Sequence, residues 1–283
     1  MSRARRRIEA IAYAAHRPLP VEVLTLEALH ARRPRDLSRP ERPEFHLVLL
    51  ATRGESFHVV DFVRHPIRRG QLLTVAAGCV QQFAPASSFD ALMLVCKPDA
   101  VRWRPEPDTS VLTPSPQRLA LLTSLFEGLE RELAPEGGHA ASVATRLADA
   151  IGAACAVTDA APSEARDLVR RFRAALDKHV GETHEVAAYA AILRVHARTL
   201  TRHCLATTGL SAKQMIDERV SLEARRSLAH EDVPVAELAG ALGFGSATQF
   251  VKFFRRLTGQ TPSAFLARFA AADERRDAAR RPA

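Results

Sequence analysis

Val235-Ala236-Glu237-Leu238-Ala239-Gly240-Ala241-Leu242-Gly243-Phe244, continuing through Ser246-Ala247-Thr248-Gln249-Phe250-Val251-Lys252-Phe253-Phe254-Arg255-Arg256-Leu257 to Gly259-Gln260-Thr261-Pro262, decides the fold of the C-terminal part of this chain. Val235, Leu238, Ala239 and Leu242 recur at three- and four-residue spacing, so one face of a short helix is apolar. Gly243 follows at once, suited to a helix end that takes positive φ. In the next segment Phe250, Phe254 and Leu257 share one helical face, and Ala247, Thr248, Gln249 and Lys252 are left on others. Gly259 ends that helix and Pro262 opens the next turn. A second helix with an aromatic inner face and a polar, cationic outer face is what insertion into a DNA major groove demands.

The same pattern stands a second time upstream, in 186–216 set against 235–266. Ala239 lies 49 positions after Ala190, and Leu242 the same distance after Leu193. Lys252, Gly259 and Thr261-Pro262 lie 50 positions after Arg202, Gly209 and Ser211-Ala212. The slip of one residue falls between Val195 and Leu200 in the first copy and between Phe244 and Phe250 in the second, inside a turn, where an insertion costs least. The first copy is expected to run as a helix over 187–193, a turn at 194–196 and a helix over 197–207. Leu200 and Cys204 then face inward, and Arg198, Thr201 and Arg202 outward.

Charge follows the same division. Residues 186–213 hold no Asp or Glu but carry Arg194, Arg198, Arg202 and Lys213; residues 239–272 hold none but carry Lys252, Arg255, Arg256 and Arg268. The acids lie between the copies, at Asp217, Glu218, Glu223, Glu231, Asp232 and Glu237, or before them. Positive charge is thus concentrated where phosphates would be met. A solvated helix face is the ordinary account of one charge run, but here the exclusion of acids coincides twice with a predicted recognition helix.

These residues, with the linking segment Arg219-Val220-Ser221-Leu222-Glu223-Ala224-Arg225-Arg226-Ser227-Leu228, resemble the signature of the AraC/XylS family of bacterial transcription regulators. The resemblance covers roughly 163–269. It implies two helix-turn-helix units held apart by a long central helix, entering successive major-groove turns roughly 34 Å apart on double-stranded DNA. Base-reading positions then fall on Arg198, Thr201 and Arg202, and on Ala247, Thr248, Gln249 and Lys252. Arg bonds bidentately to guanine, Gln to adenine, and the Thr methyl meets a thymine methyl. Arg194, Arg255 and Arg256 are expected to grip phosphate, which positions the protein without specifying sequence. The first unit departs from the family in having Cys204 where a large aromatic is usual, and Val195 and His196 in the turn.

The first half reads differently. Apolar runs at 45–51, 57–63, 72–76, 80–83 and 91–96 are separated mostly by Arg53-Gly54-Glu55, Arg69-Gly70-Gln71 and Ala77-Gly78. Closely spaced short strands with Gly turns predict an antiparallel β-barrel or sandwich. Phe45-His46-Leu47-Val48-Leu49-Leu50, then His58-Val59-Val60-Asp61-Phe62, then Gly70-Gln71-Leu72-Leu73-Thr74-Val75, then Gly78-Cys79-Val80-Gln81-Gln82-Phe83 are similar to the cupin-like effector domain that precedes the DNA-binding unit in many such regulators. The resemblance implies a small-molecule effector without identifying it. His46, His58 and Gln81 are the candidate effector contacts.

Enzyme chemistry finds little support. Metal-using cupins carry a closely spaced His-x-His with a downstream Glu and a later His, whereas His46, His58 and His65 stand far apart and Gln81 takes a place where many relatives have His. No nucleophile elbow and no Gly-rich phosphate loop is found. No catalytic residue, metal or cofactor is expected. The four cysteines, Cys79, Cys96, Cys155 and Cys204, have no CxxC spacing, so neither zinc nor a disulfide framework is indicated. Cys79 and Cys96 leave a redox-sensor reading open, against the commoner buried, inert strand cysteine.

The formal net charge of the 283-residue chain is +8. That favours a polyanionic partner, although the great excess of Arg over Lys is as well explained by codon bias. No apolar run approaches a membrane span. Residues 1–7 carry four Arg with no apolar segment after them, which reads as a solvated arm rather than a secretory signal, so a cytoplasmic location is expected. After the start signal Thr113-Pro114-Ser115-Pro116, Leu122, Leu125, Phe126, Leu129 and Leu133 predict one helix; after Ala134-Pro135-Glu136-Gly137-Gly138, Val143, Leu147, Ile151 and Ala154 predict another. Such a pair either covers one sheet or joins a second subunit, and the family's habit favours a homodimer.

The expected organisation is a cupin-like effector domain over 1–110 and a helical dimerisation or linker segment over 111–157. A linker at 158–162, a double helix-turn-helix domain over 163–271 capped by Ser163, and a charged tail at 272–283 complete it. The expected function is sequence-specific transcriptional regulation under a small-molecule effector, as an activator, with RNA polymerase as a further partner. A cupin enzyme with an appended DNA-binding domain and an effector-free architectural DNA binder are the competing classes.

Overall fold

The computed structural model describes residues 9–11, 19–32, 40–83, 88–105, 111–134, 141–156, 164–230 and 233–268. The N-terminal arm at 1–7, the turn at 135–138, the linker at 158–162, the Ser163 cap and the tail at 272–283 lie outside the described residues. The chain divides into two compact units, Ile8–Asp159 and Ala160–Ala283.

The first unit contains β1 (Glu9–Ile11), β2 (Val21–Thr25), α1 (Leu26–Arg32), β3 (Glu41–Pro43), β4 (His46–Arg53), β5 (Glu55–Val60), β6 (Val63–Arg68), β7 (Leu72–Val75), β8 (Gln81–Phe83), β9 (Asp90–Cys96), β10 (Val111–Leu112), α2 (Pro116–Leu133) and α3 (Ala141–Ala156). Two five-stranded sheets form, in the orders β1-β3-β8-β5-β6 and β10-β7-β4-β9-β2. All strand pairs are antiparallel except β1 beside β3. Leu47, Leu49, Ala51, Leu73, Val75, Ala91 and Met93 of the second sheet pack against Val60, Ile67 and Phe83 of the first.

The other face of the second sheet is covered too. Val48, Leu50, Leu72, Leu94 and Cys96 join Leu122, Phe126 and Leu129 of α2 and Ala144, Ala148 and Ile151 of α3 in a separate core. This explains why 47–51 is continuously apolar instead of alternating: β4 is buried on both faces. The helical pair thus covers this sheet. The inward stripes of α2 and α3 are spent on the sheet, leaving Leu121 and Val143 as their exposed large apolar side chains.

One expected strand is two. The apolar run 57–63 breaks at Asp61-Phe62, both in the left-handed region at φ 50° and 71°, the signature of a two-residue hairpin turn. Neither residue is Gly, so the turn is held from outside: the Asp61 N–H donates to the Val80 carbonyl at 2.7 Å, and the Val80 N–H donates to Asp61 Oδ1 at 3.0 Å. The returning strand, β6, lies at the sheet edge, where Pro66 is tolerated and few residues are buried. Its lack of an apolar pattern hid it. Val111–Leu112, within the segment expected to be helical, instead pairs with β7.

The second unit contains α4 (Glu164–His179), α5 (Val186–Leu193), α6 (Ala197–Thr208), α7 (Ala212–His230), α8 (Val235–Ala241) and α9 (Ala247–Thr258), with a further helical stretch at 262–268. Leu168, Phe172 and Leu176 of α4 share a core with Tyr189, Leu193, Leu200, Cys204, Met215, Ile216 and Val220. Among the described residues no helix is long and apolar enough to cross a membrane.

Candidate functional site

Two helix-turn-helix units stand at the two ends of α7, whose 19 residues span roughly 28 Å at 1.5 Å per residue. The units repeat one another down to single hydrogen bonds. In the turns, the N–H groups of Val195 and Phe244 donate to Ala190 and Ala239 at 3.0 and 2.9 Å. At the helix ends, Gly209 and Gly259 cap α6 and α9 at φ 76° and 75°, and the hydroxyls of Thr208 and Thr258 donate to the carbonyls of Cys204 and Phe254. The one-residue slip is Gly245, which lengthens the second turn ahead of Ser246. Ser246 caps α9 by accepting from the Gln249 N–H at 3.2 Å, whereas His196 caps α6 with no side-chain bond.

The inner faces are filled as the sequence suggests. Leu200, Cys204, Phe250 and Phe254 are fully buried. Outward, Arg198, Arg202, Thr248, Gln249 and Lys252 are exposed, while Thr201 and Ala247 are half-buried. Among the described residues, Arg198, Arg202, Lys252 and Arg255 have no carboxylate partner, so their charge is free for an anion. Arg256 stands apart from the other expected phosphate contacts. Its Nη2 lies 3.0 Å from Asp217 Oδ2, with the guanidinium 5.5 Å from the Phe253 ring centre. Arg194 is exposed at the turn before α6.

Asp217 was not singled out by sequence, because an acid between two basic segments reads as solvated. It is buried on α7 and also pairs with Lys213 at 3.0 Å. His184, in the loop after α4, is a second contact the sequence hid. Its ring lies 4.7 Å from Phe244 and stacks at 6.3 Å on Phe253, and its carbonyl accepts from Lys213 Nζ. Burial pushes the His184 pKa down. Gly181 approaches so closely that a Cβ there would stand 2.4 Å from the Ala241 carbonyl oxygen. The second unit is therefore braced against the α4–α5 loop as well as α7.

In the β unit, Ile8–Asp159, the three candidate effector contacts separate. His58 and Gln81 lie on adjacent strands, β5 and β8, facing the core between the sheets, and His58 Nε2 donates to Gln81 Oε1 at 3.1 Å. Phe83 stands edge-on to the His58 ring at 4.3 Å. His58 Nδ1 is buried with no hydrogen-bond partner among the described residues. Burial lowers the His58 pKa to about 4. His65, directly opposite His58 on β6, shares that face. His46 does not belong here. It shares the face of Val48 and Leu50 toward the helices, its ring centre 5.7 Å from that of Trp103, and its Nδ1 accepts from the Ala77 N–H at 3.0 Å. Burial lowers its pKa to about 4 as well. The period of two explains the split, since His46 opens a strand whose two faces line different cores.

Among the described residues no group of three His, Cys, Asp or Glu stands close enough to hold a metal ion. All four cysteines are buried, and none is in a disulfide. Cys79 belongs to the core between the sheets and Cys96 to the core under the helices, and burial pushes the Cys96 thiol up to about 12. This is the opposite of what a redox-sensing thiolate needs.

The AraC-like ligand binding domain family matches residues 23–153, and a helix-turn-helix domain family matches 189–268. The HTH-type transcriptional regulator RipA of Corynebacterium glutamicum is 32% identical over 111 residues, covering 38% of this chain and 33% of that protein. The ornithine utilization regulator of Pseudomonas aeruginosa is 31% identical over 96 residues, covering 34% of this chain and 28% of its own length. The chain thus spans about a third of these two relatives. Among solved structures, ToxT from Vibrio cholerae O395 is similar with a TM-score of 0.42 at 10% identity, over 79% of this chain and 88% of that one. With a ligand-binding β unit followed by a helical unit carrying two helix-turn-helix motifs, this chain belongs to the AraC family of transcriptional regulators.

Proposed function

We propose that the protein is an effector-controlled, sequence-specific transcriptional regulator that reads two successive major-groove turns with α6 and α9. The observation that carries this is the duplicated pair of exposed, acid-free helix faces at the two ends of α7. Arg198, Thr201 and Arg202 read bases in one segment, and Ala247, Thr248, Gln249 and Lys252 in the other. Arg194 and Arg255 grip phosphate; Arg256 does so only by sharing its charge with Asp217.

The effector enters the interior of the β unit, between its sheets, where His58 and Gln81 supply polar contacts in an apolar wall. A buried ring nitrogen without a partner costs about 1–3 kcal/mol, a cost that a bound ligand would relieve. Control operates by linkage: a ligand with different affinity for two states of the protein shifts the fraction able to seat both units on DNA. Activation, homodimerisation and contact with RNA polymerase belong to the same proposal, with family membership as their support.

The test is a footprint of the purified full chain on the DNA flanking its own gene, at fixed salt with random DNA as competitor. Two protected major-groove segments about one helical turn apart are expected. Diffuse, salt-sensitive protection on every fragment, unchanged by any metabolite added, would support the architectural DNA binder instead.

A further inference from the structure

Seven positions beyond Arg198, and therefore on the same helical stripe, α6 carries Leu205. Its side chain is 48% exposed, one of the few large apolar groups on the described surface. Arg198, Thr201, Arg202 and Leu205 line one open groove, with Val186 of α5 at its side. A single exposed leucine needs no explanation by itself. This one sits within the acid-free face that would meet DNA. The equivalent position of the second unit, fifty residues on, is Arg255, an exposed cation suited to phosphate. Leucine cannot serve a phosphate, so the two units differ in kind at this place.

We infer that Leu205 is a specificity-determining residue: its isobutyl group covers the 5-methyl group of a thymine at one edge of the segment read by α6. Arg198 and Leu205 are separated by about 10.5 Å along the helix axis, roughly three base-pair steps of 3.4 Å. The thymine methyl is the one apolar group that a base pair presents in the major groove. An arginine pair followed by a leucine therefore specifies guanine contacts with a thymine beyond them. The inference rests on the reading that α6 enters the groove.

The experiment crosses protein and DNA variants. A tight site is first selected from a random duplex library with the full-length wild-type protein. Each thymine of the segment protected by α6 is then replaced singly by deoxyuridine, which removes only the methyl. For wild type, one replacement should weaken binding about three- to fivefold, the effect of uncovering one methyl group. For Leu205→Ala that same replacement should have no effect. Leu205→Lys, offered in case alanine disturbs the helix, should bind all sequences more tightly, steepen the salt dependence and lose the thymine preference. Deoxyuridine penalties identical in all three proteins would overturn the inference. Arg202→Ala separates the two levels. If it too leaves the preference for the selected site unchanged, the groove reading of α6 falls; if it abolishes that preference while the penalties remain identical, only the role of Leu205 falls.

Discussion

Arg194 and Gly243 hold the same backbone position in the two helix-turn-helix turns, both in the left-handed region, at φ 56° and 78°. The neighbouring hydrogen bonds coincide: Arg194 donates to Ala191 and Gly243 to Gly240, at 3.1 and 3.0 Å. The turn geometry thus demands positive φ, and the first unit meets that demand with a residue bearing a Cβ. Such a conformation costs an L-residue about 1–2 kcal/mol, part of which Gly would return as unfolded-state entropy. Arg194→Gly should stabilise the helical unit by about 0.5–1 kcal/mol, seen as a raised urea midpoint at unchanged slope. Gly243→Ala should lose about 1–3 kcal/mol, since its Cβ would also stand 2.9 Å from the Gly181 carbonyl oxygen. An unchanged midpoint for both would mean that the turns are not strained.

The residues proposed to read bases and those proposed to grip phosphate should part in their salt behaviour. Arg198→Ala or Arg202→Ala should weaken a selected site by about 1–3 kcal/mol and random DNA much less. Equal losses on both would remove these residues from base reading.

Arg255 and Arg256 are neighbours in sequence with different surroundings. Arg255→Ala should weaken binding to every sequence and reduce the slope of log K against log salt by about 0.9. Arg256→Ala should reduce it less, because the Asp217 carboxylate at 3.0 Å already offsets its charge. Asp217→Asn should release that charge and restore a full contribution. Titrations over a range of salt compare the three variants, and an identical slope change for both arginines would contradict the pairing.

Acid should loosen the β unit. His46 and His58 bind protons at about 4 when folded, against an ordinary 6.5, because burial disfavours their charged forms. The unfolded chain therefore binds more protons between those limits. The stability held by their neutrality is present above pH 6.5 and drains as pH falls toward 4, by about 2 kcal/mol for each histidine at pH 5. Trp103, the sole tryptophan, lies beside His46 and reports urea unfolding of this unit by fluorescence. His58→Gln should flatten the pH dependence by about half; an unchanged dependence would mean that His58 is not the group titrating.

Gly152 on α3 tests how tightly the helices seat on the sheet. A Cβ there would fall 2.1 Å from the Trp103 ring. Gly152→Ala should destabilise the unit by about 1–3 kcal/mol and change the Trp103 emission, with DNA binding by the helical unit changed far less. Unaltered emission would show that the ring has room to move.

The two helix-turn-helix units were legible because their determinants are local. Apolar spacing at 235–242, the glycines at 209, 243 and 259, and the twofold exclusion of acids each act within a few residues of the helix they define. The hairpin at Asp61-Phe62 was not legible, because a non-Gly pair enters the left-handed region only where a remote group, here Val80, holds it. The occupant of the α2–α3 surface was also beyond the sequence: an amphipathic stripe specifies that a partner exists, and only packing decides that the partner is the β4 sheet.

Sequence by itself determined that there are two helix-turn-helix units, which side chains they turn outward, and that a strand-rich segment precedes them. Tertiary structure alone decided the rest. It divided His46 from His58 and Gln81, engaged Arg256 with Asp217, and braced Phe244 and Phe253 on His184. The physical reason is range. Helix periodicity and caps are set by neighbours three or four positions apart, whereas a buried charge or ring is placed by elements that chain folding brings together from tens of residues away.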